Sequence, residues 1–118
     1  MVKIITDILF EEELDKYLDD AYEQYGQKCV DHWQKGYEGI IKRLMLFPES
    51  YPPVNELKGV GILLRGAILM DNFKIIYHYD EDDETIYLHD IWDMRNNPRK
   101  LKMRFNQFKH IYLNSATL

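Results

Sequence analysis

Between Phe10 and Tyr25 the apolar residues Phe10, Leu14, Tyr17, Leu18, Ala21 and Tyr25 recur at spacings of three and four, one stripe along a helix. Thr6 or Asp7 stands where that helix needs a cap, and Glu11, Glu12 and Glu13 crowd its first turns, where the helix dipole favours acids. Gly26 ends the run. A second helical pattern extends from about Gln27 to Phe47, with Cys29, Trp33, Tyr37, Ile40, Ile41, Leu44 and Phe47 on its inner side. Gly36 and Gly39 are expected to weaken it by up to about 1 kcal/mol each. Two amphipathic helices joined at one glycine predict an antiparallel hairpin whose stripe needs a cover. Ahead of it, the β-branched stretch Val2 to Ile5 fits a brief strand.

Phe47-Pro48-Glu49-Ser50-Tyr51-Pro52-Pro53 closes the helical half, because consecutive prolines cannot continue a helix. Beyond it Ile62 to Met70, Phe73 to Tyr79 and Thr85 to Trp92 are rich in Ile, Leu, Tyr and Phe and read as strands. Asp71-Asn72 and the acidic run Asp80 to Glu84 join them in hairpin style. Asn97-Pro98 marks a helix start, and Leu101, Phe105 and Phe108 give it an apolar side. Ile111-Tyr112-Leu113 fits a last strand or an extended tail. The expected class is α+β: strand 2–5, helix hairpin 6–47, antiparallel strands within 62–95, and a short basic helix over 98–109, in one domain spanning 1–118. The hairpin then covers a twisted antiparallel sheet of three to four strands.

Composition narrows the class. The chain has 118 residues, 46% apolar and 30% charged, with a net charge of −5, the balance of a soluble globular protein. A chain of this length buries roughly two-thirds of the surface that it exposes when unfolded. The single Cys29 excludes an internal disulfide framework and a cysteine-based zinc site. Apolar runs such as Gly59 to Leu64 fall far short of a membrane helix, and the amino terminus does not read as a signal peptide, so a cytoplasmic setting is expected. Residues 1 to 60 hold 7 cations and 12 acids, whereas residues 61 to 118 hold 8 of each. The acidic total argues against wholesale coating of nucleic acid.

Candidate chemistry is sparse. His78 and His89 stand on neighbouring predicted strands, with Asp80, Asp82 and Asp90 close in sequence, donors suited to zinc or iron. Strand alternation is expected to send the two imidazoles to different faces, and no metal site is expected. The acidic turn opens like a calcium loop at Asp80 and Asp82, but Thr85 replaces the glycine and Ile91 the terminal glutamate, so it reads as a solvated turn. Cys29 reads as a buried small hydrophobe and Trp33 as core. The remaining features are cations: Arg65, Lys74, then Arg95, Arg99, Lys100, Lys102, Arg104 and Lys109, six positive charges between residues 95 and 109 with no acid among them. They fit either a solvated helix face or a surface that meets phosphate or an acidic partner.

Several short motifs, in this order, resemble the RelE/ParE superfamily of toxins from bacterial toxin–antitoxin modules. They are Leu46-Phe47-Pro48-Glu49, Glu56-Leu57, Arg65, Phe73-Lys74-Ile75-Ile76-Tyr77-His78-Tyr79-Asp80, and Ile91-Trp92-Asp93-Met94-Arg95-Asn96-Asn97-Pro98-Arg99-Lys100-Leu101. The resemblance covers roughly residues 2 to 101, and the last stretch is similar to the ParE-like branch. The family implies two activities. ParE-like members inhibit DNA gyrase by binding, and RelE-like members cut messenger RNA on the ribosome. For the second, Arg65, Lys74 and Arg95 are the candidate catalytic cations, since guanidinium groups clamp phosphate. Yet Lys74 stands where the nuclease branch carries Arg, and Leu101 where it carries Tyr or His, with His110 and Tyr112 too far along to substitute. The ParE-like reading is therefore preferred, with Arg65, Lys74, Arg95, Arg99, Lys100, Lys102 and Arg104 as target- or partner-binding residues. The implied partners are a cognate antitoxin and gyrase, or else the ribosome and its message, with no cofactor and no membrane. A non-toxic homologue is the third reading. Ile62, Leu64, Ile68 and Met70 would face the antitoxin or the protein's own helices.

Overall fold

The computed structural model describes residues 2–117, with side chains through His110. The strands are β1 (Lys3–Thr6), β2 (Arg65–Leu69), β3 (Phe73–Asp80) and β4 (Thr85–Asp93). The helices are α1 (Ile8–Tyr25), α2 (Gln27–Leu46) and α3 (Pro98–Thr117), with a 3-10 turn at Asn55–Leu57. Asp7 stays extended at the end of β1 and its Oδ1 accepts the amide of Phe10 at 3.0 Å, which starts α1. At Gly26 a φ of +80° reverses the chain into α2, and the Gly26 amide donates to the Tyr22 carbonyl at 2.9 Å. A residue with a Cβ is strained in that conformation.

The strand order is β1-β4-β3-β2. β2, β3 and β4 form an antiparallel meander, as the pattern predicts. β1 lies parallel to β4, from Lys3 opposite Thr85 to Thr6 opposite Leu88, so the sheet is mixed. Apolar periodicity carries no information on strand direction, and the intervening helix hairpin lets the chain return either way. β2 begins at Arg65 instead of Ile62 because Gly59 and Gly61, at φ +81° and +104°, hold the approach in a loop. Val54 then donates to Leu64 O at 2.8 Å and Gly66 to Pro52 O at 3.0 Å, which covers the start of the β2 edge.

Both faces of the sheet are covered. The helix hairpin packs Phe10, Trp33, Ile40 and Leu44 against Ala67, Ile75, Tyr77 and Leu88. Tyr17, Trp33 and Phe73 meet there with centroids 4.6 to 5.9 Å apart. On the other face Leu101 and Phe105 of α3 join Leu57, Leu64, Ile76 and Trp92 in a second core, each such side chain contributing roughly 1.5–3 kcal/mol by burial. This double cover explains why β4 is buried from Thr85 to Trp92. It also absorbs Leu64, and in part Ile62 and Met70, leaving Ile68 58% exposed.

α3 starts as expected, with Asn97 Oδ1 accepting the Arg99 amide at 3.0 Å. It runs on to Thr117, past the expected end at 109, and replaces the strand or tail drawn at Ile111 to Leu113. No proline or glycine follows Pro98, so nothing stops the helix once it is nucleated. Leu118 lies outside the described residues. Gly36 is a packing device, because a Cβ there would fall 2.8 Å from Leu69 Cδ1, whereas one at Gly39 would meet open space. No helix among the described residues is long and apolar enough to cross a membrane.

Candidate functional site

The register of β3 and β4 sets His78 opposite Tyr87, and alternation then puts His89 on that same face. The expectation of different faces fails for this reason: alternation orders one strand, whereas register decides which residues of two strands share a side. A β-bulge at His89, between the pairs Ile76–Asp90 and Tyr77–Leu88, adds Asp90 to the same face. His78 Nδ1 stands 2.7 Å from His89 Nε2, and His89 Nδ1 stands 2.8 Å from Asp7 Oδ2. Since the carboxylate only accepts, His89 donates to it from Nδ1, and the tautomer of the pair sets the direction of the His78–His89 bond. His78 Nε2 is left buried with no hydrogen-bond partner. Burial, and then the neighbouring His89, hold the His78 imidazole down at about 4, with Asp80 opposing. The chain Asp7–His89–His78 thus ties the cap of α1 to two strands. Among the described residues no three His, Cys, Asp or Glu side chains cluster to hold a metal.

The cations do not converge. Arg65 opens β2 opposite Tyr77, on the hairpin face, and its Nη1 donates to the Tyr51 carbonyl at 2.8 Å. Lys74 faces the other way, and its stem crosses Gly66, where a Cβ would come 2.5 Å from Lys74 Cδ. Arg95 lies at the far end of β3, its guanidinium 5.4 Å from the Phe73 ring centroid. The four residues from Phe73 to Tyr77 put it roughly 13 Å along the strand from the level of Arg65. Arg95 Nε and Nη2 donate to Asp93 at 3.0 and 2.9 Å, which holds the Asp93 carboxyl below its ordinary range.

Arg104 has a structural task. Its Nε and Nη2 donate to the two oxygens of the fully buried Asp90, and Nη2 reaches Glu13 Oε1 at 3.0 Å, so it locks α3 to β4 and α1. This corrects the grouping of Arg104 with the surface cations: as the neighbour of Phe105 it turns inward. Arg99, Lys100, Lys102 and Lys109 point outward around Met103, itself 67% exposed. Among the described residues none of the four has a carboxylate partner.

A cleft of about 410 Å³ opens between α1 and the end of the sheet, lined by Lys16, Asp20, Tyr25, Cys29, Asn72 and Arg95 among others. Cys29 is half-buried on its wall, packed against the hairpin core from the cleft side. Sequence reasoning passed over Arg43 and gave Asp7 and Asp90 other roles, a helix cap and a metal donor that was set aside. Asp7 shows a cap signal, but nothing local announces its bond to a histidine 82 residues on. Asp90, weighed only as a metal donor, is an acid inside an apolar strand, a position that calls for a buried cation such as Arg104.

No protein-family model matches the sequence, and no curated protein matches it significantly. Eighteen chains of solved structures match the fold, among them the following two. A chain of the chromosomal ParDE toxin–antitoxin system from P. aeruginosa superposes with a TM-score of 0.62 at 15% identity, covering 79% of this chain and 96% of that one. A metal-bound toxin from Helicobacter pylori superposes with a TM-score of 0.57 at 16% identity, covering 80% and 97%. At these identities the likeness shows a shared fold.

Proposed function

We propose that the chain is the toxin of a type II toxin–antitoxin module, acting by binding to DNA gyrase and neutralised by a cognate antitoxin. The observation that carries this reading is the fold match to the ParDE chain, which spans nearly the whole of that chain. The layout of the cations favours binding over RNA cleavage. Cleavage through the ribose 2′-hydroxyl needs a base, an acid and a charge stabiliser around one phosphate. Arg65 and Lys74 lie on opposite faces, and Arg65 and Arg95 at opposite ends of β3. Leu101, where the nuclease branch carries Tyr or His, is a core residue at 2% exposure. The outward face of α3, with Arg99, Lys100 and Lys102 around Met103, has the unneutralised charge and the apolar contact that a protein target can use.

Induced expression in bacteria tests the reading. Growth arrest is expected, relieved by co-expression of the protein encoded beside this one, with messenger RNA left intact. Unimpeded growth contradicts the toxin reading, and message cleavage during translation, lost on Arg95→Ala, contradicts the binding mode.

A further inference from the structure

We infer that the loop after α2 carries an oxyanion seat, built by Arg43 and Arg65, for a carboxylate on an apolar segment of a partner protein. Arg43 lies in the last turn of α2, where its Nε donates to Ser50 Oγ at 2.9 Å and its Nη2 to the Ser50 carbonyl at 3.1 Å. Arg65 reaches the carbonyl of the next residue, Tyr51, at 2.8 Å. The two guanidinium groups therefore grip adjacent carbonyls, and Arg43 also stacks on the Tyr51 ring at 4.3 Å. Both charges act on the Tyr77 phenol, which donates to the Pro48 carbonyl at 2.9 Å. Among the described residues neither arginine has a carboxylate partner, unlike Arg95 with Asp93 and Arg104 with Asp90 and Glu13. Neutral acceptors leave each guanidinium its full charge and further N–H groups. Because the side chains are already ordered, a carboxylate that binds there gains charge-assisted hydrogen bonds at little entropic cost.

The surroundings select the oxyanion. Leu46 and Phe47 are 72% and 62% exposed, and with Pro48, Glu49 and Ser50 they line a shallow cleft of about 350 Å³ beside Arg43. A segment with an apolar side chain next to a carboxylate fills both features. A nucleic acid fits less well, since Glu49 stands on the rim and residues 1 to 60 carry 12 acids against 7 cations, a field that repels a polyanion. Arg65 is on the hairpin face of the sheet and α3 covers the other, so this partner and the gyrase proposed above meet different faces. The inference rests on the toxin reading only for the partner's role as antitoxin.

The probe is a synthetic decapeptide of leucine and serine with one central glutamate, titrated into the full chain while the arginine Nε–H resonances are followed by NMR. Arg43 and Arg65 are expected to shift, and the same peptide with glutamine for glutamate to bind about tenfold more weakly. Arg43→Ala is expected to weaken binding about tenfold. Arg43→Lys is expected to recover part of that, since it keeps the charge without the fork. Each variant's thermal midpoint separates lost binding from lost folding. Inorganic phosphate and a single-stranded RNA oligonucleotide are titrated in parallel. Arginine shifts with either of these and none with the peptide would overturn the proposal. Equal binding of the glutamine peptide, or shifts confined to Arg99, would do so too. Growth arrest is read separately: its absence removes the toxin reading and leaves the seat standing, whereas a peptide that does not bind removes the seat alone.

Discussion

His78 Nδ1 meets His89 Nε2 across 2.7 Å, and the His78 ring keeps its other nitrogen buried without a hydrogen-bond partner. The two rings also stack, with centroids 4.9 Å apart and planes 10° from parallel. With Asp7 bonded to the far side of His89, the strand that opens the chain, the helix that follows and the central hairpin share one polar thread through an otherwise apolar layer.

That thread predicts an acid-sensitive fold. The folded chain holds the His78 pKa at about 4, whereas the unfolded chain titrates near the ordinary 6.5. Between those values the unfolded state binds more protons, so the stability contributed by neutral His78 is full above pH 6.5 and fades as pH falls through 4. The loss between pH 7.5 and pH 5 is about 2 kcal/mol. Urea unfolding at the two pH values measures it. In His78→Phe, which keeps an aromatic ring beside Tyr87, the difference is expected to shrink to that of the remaining groups.

Arg104 is expected to behave as a core residue. Arg104→Ala leaves Asp90 buried without its guanidinium, a change that costs about 3 kcal/mol or more. For a chain of this size the thermal midpoint falls on the order of 10 °C. Arg99→Ala and Lys102→Ala, on the outer face of the same helix, are expected to stay within about 0.5 kcal/mol of the wild type. The same pair is expected to lose growth arrest, which separates target contact from folding.

The two glycines of α2 are expected to part company. Gly39→Ala meets open space and raises stability by about 0.5–1 kcal/mol through helix propensity. Gly36→Ala pushes on Leu69 in a close-packed core and is expected to bring no such gain. Chemical denaturation of both variants decides it.

Features set by local pattern could be read from the sequence: the capped hairpin at Asp7 and Gly26, the three antiparallel strands, and the Asn97 cap of α3. What escaped was set by how elements meet. The direction of β1 and the shared face of His78 and His89 depend on pairing and register, to which periodicity is blind. Arg104 reads like its basic neighbours until helical phase turns it toward Asp90. Arg43 looked like any last-turn cation, and only the fold of the 47–53 loop sets it beside Arg65. The cations gathered in sequence as one surface separate in space into a lock, an ion pair and an outward face.

The function proposed above is inhibition of gyrase by binding through the outward face of α3. The most direct measurement is plasmid supercoiling by purified gyrase in the presence of the purified chain. Inhibition that rises with concentration and is lost in the Arg99→Ala, Lys102→Ala double variant is the predicted result. Full supercoiling activity at a large molar excess of the folded wild-type chain would contradict it.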